Sequence, residues 1–173
     1  MKLIFSIFVL IISSVQLQAS EISNSLSTDL HKITNFHFVS KELASSGLLK
    51  LDSYKYIKEY GFKHVINLIP GNQTKEREHV KLLGLSYEQI EVEWAEPTLE
   101  NFERFVRLVN SYKQDKVYVH CEANYRASTF VYLYRVTQLG ISEEIAKKDL
   151  LKIWKPSVVW ADFIEKVIFD FGE

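Results

Sequence analysis

Cysteine is nearly absent from this chain: Cys121 is the only one in 173 residues. An internal disulfide is excluded, and a lone thiol is either a reactive group or a small buried hydrophobe. Charge of one sign is lacking as well. Lysine and arginine number 21 against 22 aspartates and glutamates, a net charge of −1. That balance offers no basic footprint for nucleic acid. The histidines at positions 31, 37, 64, 79 and 120 are scattered without metal-ligand spacing, which argues against a zinc site; no metal or cofactor is expected. Repeats, low-complexity tracts and long linkers are missing, so the chain past its first residues reads as one domain with room for a sizeable core.

Long apolar runs are missing too, apart from Leu3 to Ile12, which is too short to span a bilayer comfortably. Lys2 precedes this run and the small residues Ala19 and Ser20 follow it, the three-part plan of a secretory signal peptide. Residues 1–20 are expected to be removed near Ala19, leaving 21–173 as an exported domain, periplasmic or secreted, with no membrane span. No cysteine sits at the cut, so lipid attachment there is not expected.

What is present is an alternation of strand and helix patterns. The stretch from Glu21 to Ile33 is polar and reads as loose. "NFHFVS" and "KELASSG" are short extended pieces. "LDSYKYIKEYG" is helical, with Asp52 as N-cap and Gly61 as the stop. "KHVINLIPG" carries an apolar run from Val65 to Ile69, the look of a strand buried on both faces. "TKEREHVKLLG" is a helix, and "LSYEQIEVEW" alternates as a strand through Trp94. "TLENFERFVRLVNSYK" repeats apolar residues at helical spacing, and "KVYVH" is another buried strand. "RASTFVYLYRVTQLG" is apolar nearly all round and predicts a central helix. Two more helices, "SEEIAKKDLLKIW" and "SVVWADFIEKVIFDF", finish the chain, the last with a stripe at Trp160, Phe163, Ile164, Val167, Ile168 and Phe171. This order predicts an α/β fold: a mainly parallel central sheet flanked by helices, with a helical C-terminal part.

Ligands of such sheets bind beyond the carboxyl ends of the strands, and Cys121 lies at one such end, in "VYVHCEANYRAST" (117–129). A loop from a strand end into a helix N-terminus aims backbone N–H groups at the space above the strand, a ready anion site. A cysteine held there has its thiolate stabilised and becomes nucleophilic. Arg126 at the helix start can grip two phosphoryl oxygens.

"VHCEANYRAS" resembles the signature of the cysteine-dependent protein tyrosine and dual-specificity phosphatases: histidine, cysteine, five residues, arginine, then serine or threonine. The order of strand, cysteine loop, helix and then only helices is also similar, over most of residues 33 to 170. "GFKHVINLIPG" and "CEANYRASTFVYLYRV" are similar to a bacterial phosphatase-like branch that includes a domain attached to beta-lactamase-like hydrolases. The resemblance implies a dual-specificity-phosphatase-like fold and hydrolysis of a phosphomonoester, phosphotyrosine being one candidate, through a cysteinyl-phosphate on Cys121. It implies that Arg126 and the loop residues His120, Glu122, Ala123, Asn124, Tyr125, Ala127 and Ser128 hold the substrate, with His120 tuning the thiol from behind.

The chain departs from that pattern in three ways. Four residues, not five, separate Cys121 from Arg126; the loop has no glycine; and Ala127 follows Arg126 where a hydroxyl residue is usual. Either the loop is one residue shorter and Arg126 keeps its place, or Ser128 takes the hydroxyl position and Arg126 reaches in from one position early; helix register favours the second. The resemblance further implies a general acid in "EVEWAEPTLENF". Aspartate is absent there, so the candidates are Glu91, Glu93 and Glu96, with Glu96 ahead of Glu93. In "PGNQTKER", Lys75 or Arg77 is a candidate contact for an anionic substrate, against the alternative of a solvated helix start. Two rival functions stay open: a catalytically weak phosphate-binding or anion-binding module, and a rhodanese-like sulfurtransferase, whose six-residue loop the spacing resembles. The substrate and the oligomeric state are not legible in the sequence.

Overall fold

A computed structural model of the chain describes residues 28–172; the signal-peptide expectation lies outside them. Among these residues five strands form one sheet: β1 (His37–Phe38), β2 (Leu43–Ser46), β3 (Phe62–Asn67), β4 (Ser86–Gln89) and β5 (Lys116–His120), in the order β1-β2-β5-β3-β4. All neighbours run parallel except β1, which pairs antiparallel with β2. The helices are α1 (Tyr54–Glu59), α2 (Thr74–Leu82), α3 (Leu99–Ser111), α4 (Tyr125–Thr137), α5 (Glu143–Ile153) and α6 (Val158–Phe171). The predicted mainly parallel α/β architecture with a helical C-terminal part is the one observed. None of the helices among the described residues is long and apolar enough to cross a membrane.

The central strand shows why the alternation was readable. Successive side chains of a strand face opposite sides of the sheet. Val117 and Val119 join a core cluster with Phe102, Phe105, Phe130, Trp160 and Phe163 of α3, α4 and α6. Tyr118 joins a second cluster with Tyr54, Ile57, Phe62 and Val80 on the other face. Cys121 continues the first cluster. Helix α4 is buried at nine successive positions from Arg126 to Tyr134, as its all-round apolar pattern predicted. Helix α3 shows the opposite design, burying Phe102, Phe105 and Val109 and leaving its other face wet. It starts in a capping box, with Thr98 Oγ1 accepting from Asn101 N–H and Asn101 Oδ1 accepting from Thr98 N–H.

Three local expectations need correcting. Asp52 caps nothing; it sits inside a 3₁₀ turn, Leu51–Ser53, that leads into α1. The strand expected through Trp94 stops at Gln89, because its partner β3 ends at Asn67 and leaves no ladder to continue. Ile90 and Val92 stay buried without it. Finally, the segment before Ile33 is not loose where it is described: Leu30 and Ile33 are buried in the second cluster.

One glycine is required by contact. A Cβ on Gly47 would lie 2.7 Å from the Glu122 carbonyl oxygen and 2.9 Å from Thr34 Cγ2. Gly47, just after β2, forms a bridge to Ala123 in the cysteine loop. Gly47→Ala should therefore destabilise the fold by about 1–3 kcal/mol, the range for forced overpacking, read as a lowered urea midpoint with an unchanged slope.

Candidate active site

Strand β5 ends at His120, and the chain turns through Cys121, Glu122, Ala123 and Asn124 before α4 begins. The loop is held from outside. Leu48 N–H donates to the Glu122 carbonyl at 2.8 Å, and Asn35 Nδ2 donates to the Ala123 carbonyl at 3.0 Å. A trans peptide is planar, with its C=O and N–H opposed. Fixing the Glu122 carbonyl outward therefore turns the Ala123 N–H inward. The first turn of α4 adds further N–H groups that no helical carbonyl can reach. Asn124 makes the turn possible. Its φ is +67°, the left-handed conformation in which asparagine is the usual substitute for glycine. This answers the missing loop glycine. Its Nδ2 donates to the Asn35 carbonyl at 2.7 Å, so the two asparagines tie each other down.

Above the loop opens a cavity of about 340 Å³ lined by Trp94, Cys121, Glu122, Ala123, Tyr125 and Arg126. The sulfur-bearing residue is only 1% exposed, at the floor. Arg126, in the first turn of α4, is 6% exposed. Its guanidinium lies 5.8 Å over the Trp94 ring, and its Nη2 stands 3.6 Å from Oε2 of the exposed Glu122. Its Nε is buried with no partner among the described residues. A guanidinium that is desolvated and held by one loose ion pair has bonding capacity left for an anion.

Trp94 forms the wall with Tyr125, and behind them Tyr125 stacks on Trp154 at 4.7 Å and 9°. The Trp94 carbonyl accepts from Trp160 Nε1 at 3.1 Å, anchoring this segment to α6. Glu93 and Glu96 flank Trp94 on a turn closed by Glu96 N–H to Glu93 O at 3.4 Å; both are exposed, and neither side chain lines the cavity. Glu91 accepts from Gly71 N–H and borders a separate polar cleft. Ser128 is also elsewhere. Its hydroxyl donates to the Tyr125 carbonyl at 3.2 Å, and its side chain lines a narrow second cavity with His37 and Ser45. Ala127 is fully buried directly after Arg126. The geometry matches the alignment with a shorter loop, because α4 starts at Tyr125 and its turn carries Ser128 away from the thiol.

His120 faces the other side of the sheet. Its Nε2 is 2.6 Å from Glu76 Oε1 and 3.1 Å from the Tyr54 hydroxyl. Tyr54 also donates to Glu76 Oε1 at 2.5 Å, while Asn67 Nδ2 reaches Glu76 Oε2 at 3.1 Å and the Tyr87 hydroxyl at 2.8 Å. The candidate contacts Lys75 and Arg77, weighed against a solvated helix start, are not at the cavity; Arg77 bonds Gln89 at 2.7 Å. Helical rotation turns Glu76 inward and its two neighbours away. Sequence reading missed Glu76. The usable signal was its spacing of four from Val80, the buried apolar residue of α2.

Burial pushes the Glu76 carboxyl up, but hydrogen bonds and charge from His120, with bonds from Tyr54 and Asn67, outweigh it and hold it below the usual range. Burial, then the Glu76 charge, pushes the Tyr54 phenol well up, so it remains a donor. A carboxyl lowered in the fold stabilises it fully above its unfolded value of about 4.3, and the contribution is lost as pH falls through the folded value. The stability gap between wild type and Glu76→Gln, measured by urea unfolding, should therefore be widest near neutrality and close below about pH 4. Asn124→Ala should cost about 1–3 kcal/mol in the same assay, from a lost hydrogen bond and a strained left-handed residue.

Comparison with known proteins agrees with this geometry. Residues 29–164 match the model of the family described as DSP-PTPase phosphatase fused to NAD+ kinase. No curated protein matches the chain. Among solved structures, a DUF442 protein from Shewanella putrefaciens CN-32 is 29% identical, with a TM-score of 0.75, covering 84% of this chain and 99% of its own. The core catalytic domain of the PP-IP phosphatase SIW14 from S. cerevisiae shares the fold at 18% identity and a TM-score of 0.66, over 76% of this chain and 83% of its own. TpbA from P. aeruginosa shares it at 15% identity and 0.60, over 81% and 92%. A buried thiol at the end of a central parallel strand, an arginine in the next helix's first turn and a family match over most of the chain place this protein in the DSP-PTPase family of the cysteine-dependent phosphatase superfamily.

Proposed function

We propose that the protein hydrolyses a phosphomonoester through a cysteinyl-phosphate, with an aryl ester such as phosphotyrosine as the favoured substrate. The observation that carries this reading is the sole thiol at the floor of a cavity whose one lining cation among the described residues is Arg126. The Cys121 thiolate attacks phosphorus, and an S–P bond forms as the ester P–O bond breaks. The leaving oxygen takes a proton from a glutamic acid, Glu96 ahead of Glu93. The resulting carboxylate takes a proton from water, whose oxygen attacks phosphorus. Orthophosphate departs and the thiolate is restored. Arg126 and the inward amides hold the equatorial oxygens, so positioning and electrostatics supply most of the rate. Trp94 and Tyr125 offer flat apolar walls to an aromatic leaving group. TpbA with its cysteine replaced by serine has been solved in complex with phosphotyrosine, which supports this choice of substrate class.

The position of Ser128 favours a second feature, slow turnover. With Ala127 after Arg126 and the Ser128 hydroxyl bonded to the Tyr125 carbonyl, neither of the two residues after the arginine offers the departing thiolate a free hydroxyl. The second step should be the slow one, and a protein of this kind grades into a phosphate-holding module.

Hydrolysis of p-nitrophenyl phosphate by the reduced protein tests both statements. Activity should vanish in Cys121→Ser and be blocked by vanadate, and Arg126→Lys should lose roughly 10²–10³-fold in kcat. Rapid mixing should show a burst of nitrophenol near one equivalent before a slow steady rate. A folded, reduced protein no more active than Cys121→Ser sinks the hydrolase reading. For the acid, Glu96→Gln should depress kcat/KM, which reports the first step, for an alkyl phosphate far more than for the nitrophenyl ester, whose leaving group needs no proton, while the slow steady rate falls for both; the same pattern in Glu93→Gln alone would reassign the role.

A further inference from the structure

We infer that Cys121 also carries sulfur: it accepts the outer sulfur atom of a sulfane-sulfur anion of the thiosulfate class as a persulfide and passes it to a small nucleophile, a thiol or cyanide. The inference shares the cavity with the hydrolase reading but none of its phosphoryl chemistry.

The placement of the acids carries it. Glu93 and Glu96 are exposed and neither lines the cavity, while Glu122, which does, stands 3.6 Å from the Arg126 guanidinium. No other carboxyl group lines the cavity among the described residues. An ester oxygen leaves well only when a proton reaches it, and water must give one up to attack phosphorus. Transfer of sulfur asks for neither. The Cys121 thiolate attacks the outer sulfur of thiosulfate, a new S–S bond forms, and the bond to the sulfonate sulfur breaks with its electron pair leaving as sulfite. The negative charge of the thiolate passes to the terminal sulfur of the persulfide. An anionic acceptor then attacks that terminal sulfur, the persulfide S–S bond breaks, and the Cys121 thiolate is restored. No proton and no net electron moves in either step, and thiolate attack at sulfur is faster the less basic the group that leaves. The cavity as it stands, with both glutamates outside it, is complete for this reaction.

The lining suits the reactant as well. Arg126 is 6% exposed, and its Nε is buried with no partner among the described residues, so it has donor capacity for the sulfonate oxygens. The Ala123 N–H, turned inward by the outward Glu122 carbonyl, offers a second donor to an anion. Trp94 and Tyr125 present aromatic walls to a polarisable sulfur atom, a favourable contact. A volume of about 340 Å³ leaves room for a tetrahedral anion and an incoming acceptor.

The chain has one cysteine, so sulfur uptake can be read on the intact protein. Reduced protein incubated with thiosulfate and then freed of it should gain the mass of one sulfur atom, and Cys121→Ser should gain none. Cyanide should remove that atom and release one equivalent of thiocyanate per chain, the chain having a single thiol. Arg126→Lys should slow loading at low thiosulfate by roughly 10–100-fold. Loading should rise with pH as the thiol ionises and then stay level; a falling limb in the folded protein places a proton donor in the step and overturns the inference. A folded, reduced protein that takes up no sulfur, or takes it up no faster than free cysteine at the same pH, also sinks it. Loading by a protein inert toward p-nitrophenyl phosphate would sink the hydrolase reading alone, and hydrolysis without loading would sink this inference alone.

Discussion

The cysteine loop of this protein is shaped by where its carbonyls go. Leu48 and Asn35 draw the Glu122 and Ala123 oxygens outward, and a planar peptide leaves the Ala123 N–H no direction but inward. The arrangement works only because Gly47 has no side chain where the Glu122 carbonyl passes. A loop held this way would meet the proposed phosphoryl group with little reorganisation, since its donors are already aimed. The shortened loop is tolerated for the same reason. Asn124 supplies the left-handed turn, and its amide is tied to Asn35, so fewer residues still present a fixed cradle.

The central position of β5 divides the chemistry between the two faces of the sheet. One face carries the thiol into the cluster of α3, α4 and α6. The other carries His120 into a polar cluster sealed by α1 and α2. A strand with neighbours on both sides cannot slip without exposing one of these sets. The buried ion pair of Glu76 and His120 is weak evidence for stability as such, because desolvation offsets much of the attraction.

The cavity itself is an unusual mixture for an anion site. Its walls are aromatic, its one lining cation among the described residues is Arg126, and its rim carries the exposed Glu122. The proposed substrate, a single phosphoryl group on a flat apolar body, asks for no more than this. The tryptophans also explain how an exposed segment with two glutamates stays in register: Trp94 is wedged against Tyr125, Trp154 and Trp160, and its carbonyl is bonded to the last.

The sequence by itself determined what depends on short spacings. Short apolar runs and helical patterns marked β3, β5, α3 and α4, and the cysteine and arginine around a strand end marked the loop, because these features repeat or close within about ten residues. It failed where a partner lies far along the chain. Asn35 meets the loop across a separation of 88 residues, and Glu76 meets His120 across 44. In "TKEREHVK", Glu76 is one charge among several, and only docking of α2 on the sheet singles it out for burial. The place of Ser128 was also decided by tertiary structure, since the left-handed turn at Asn124 sets where α4 begins and which way each later side chain points. Local patterning specifies elements through backbone geometry, whereas the cost of a buried charge or an unpaired amide is set by whatever the fold brings beside it.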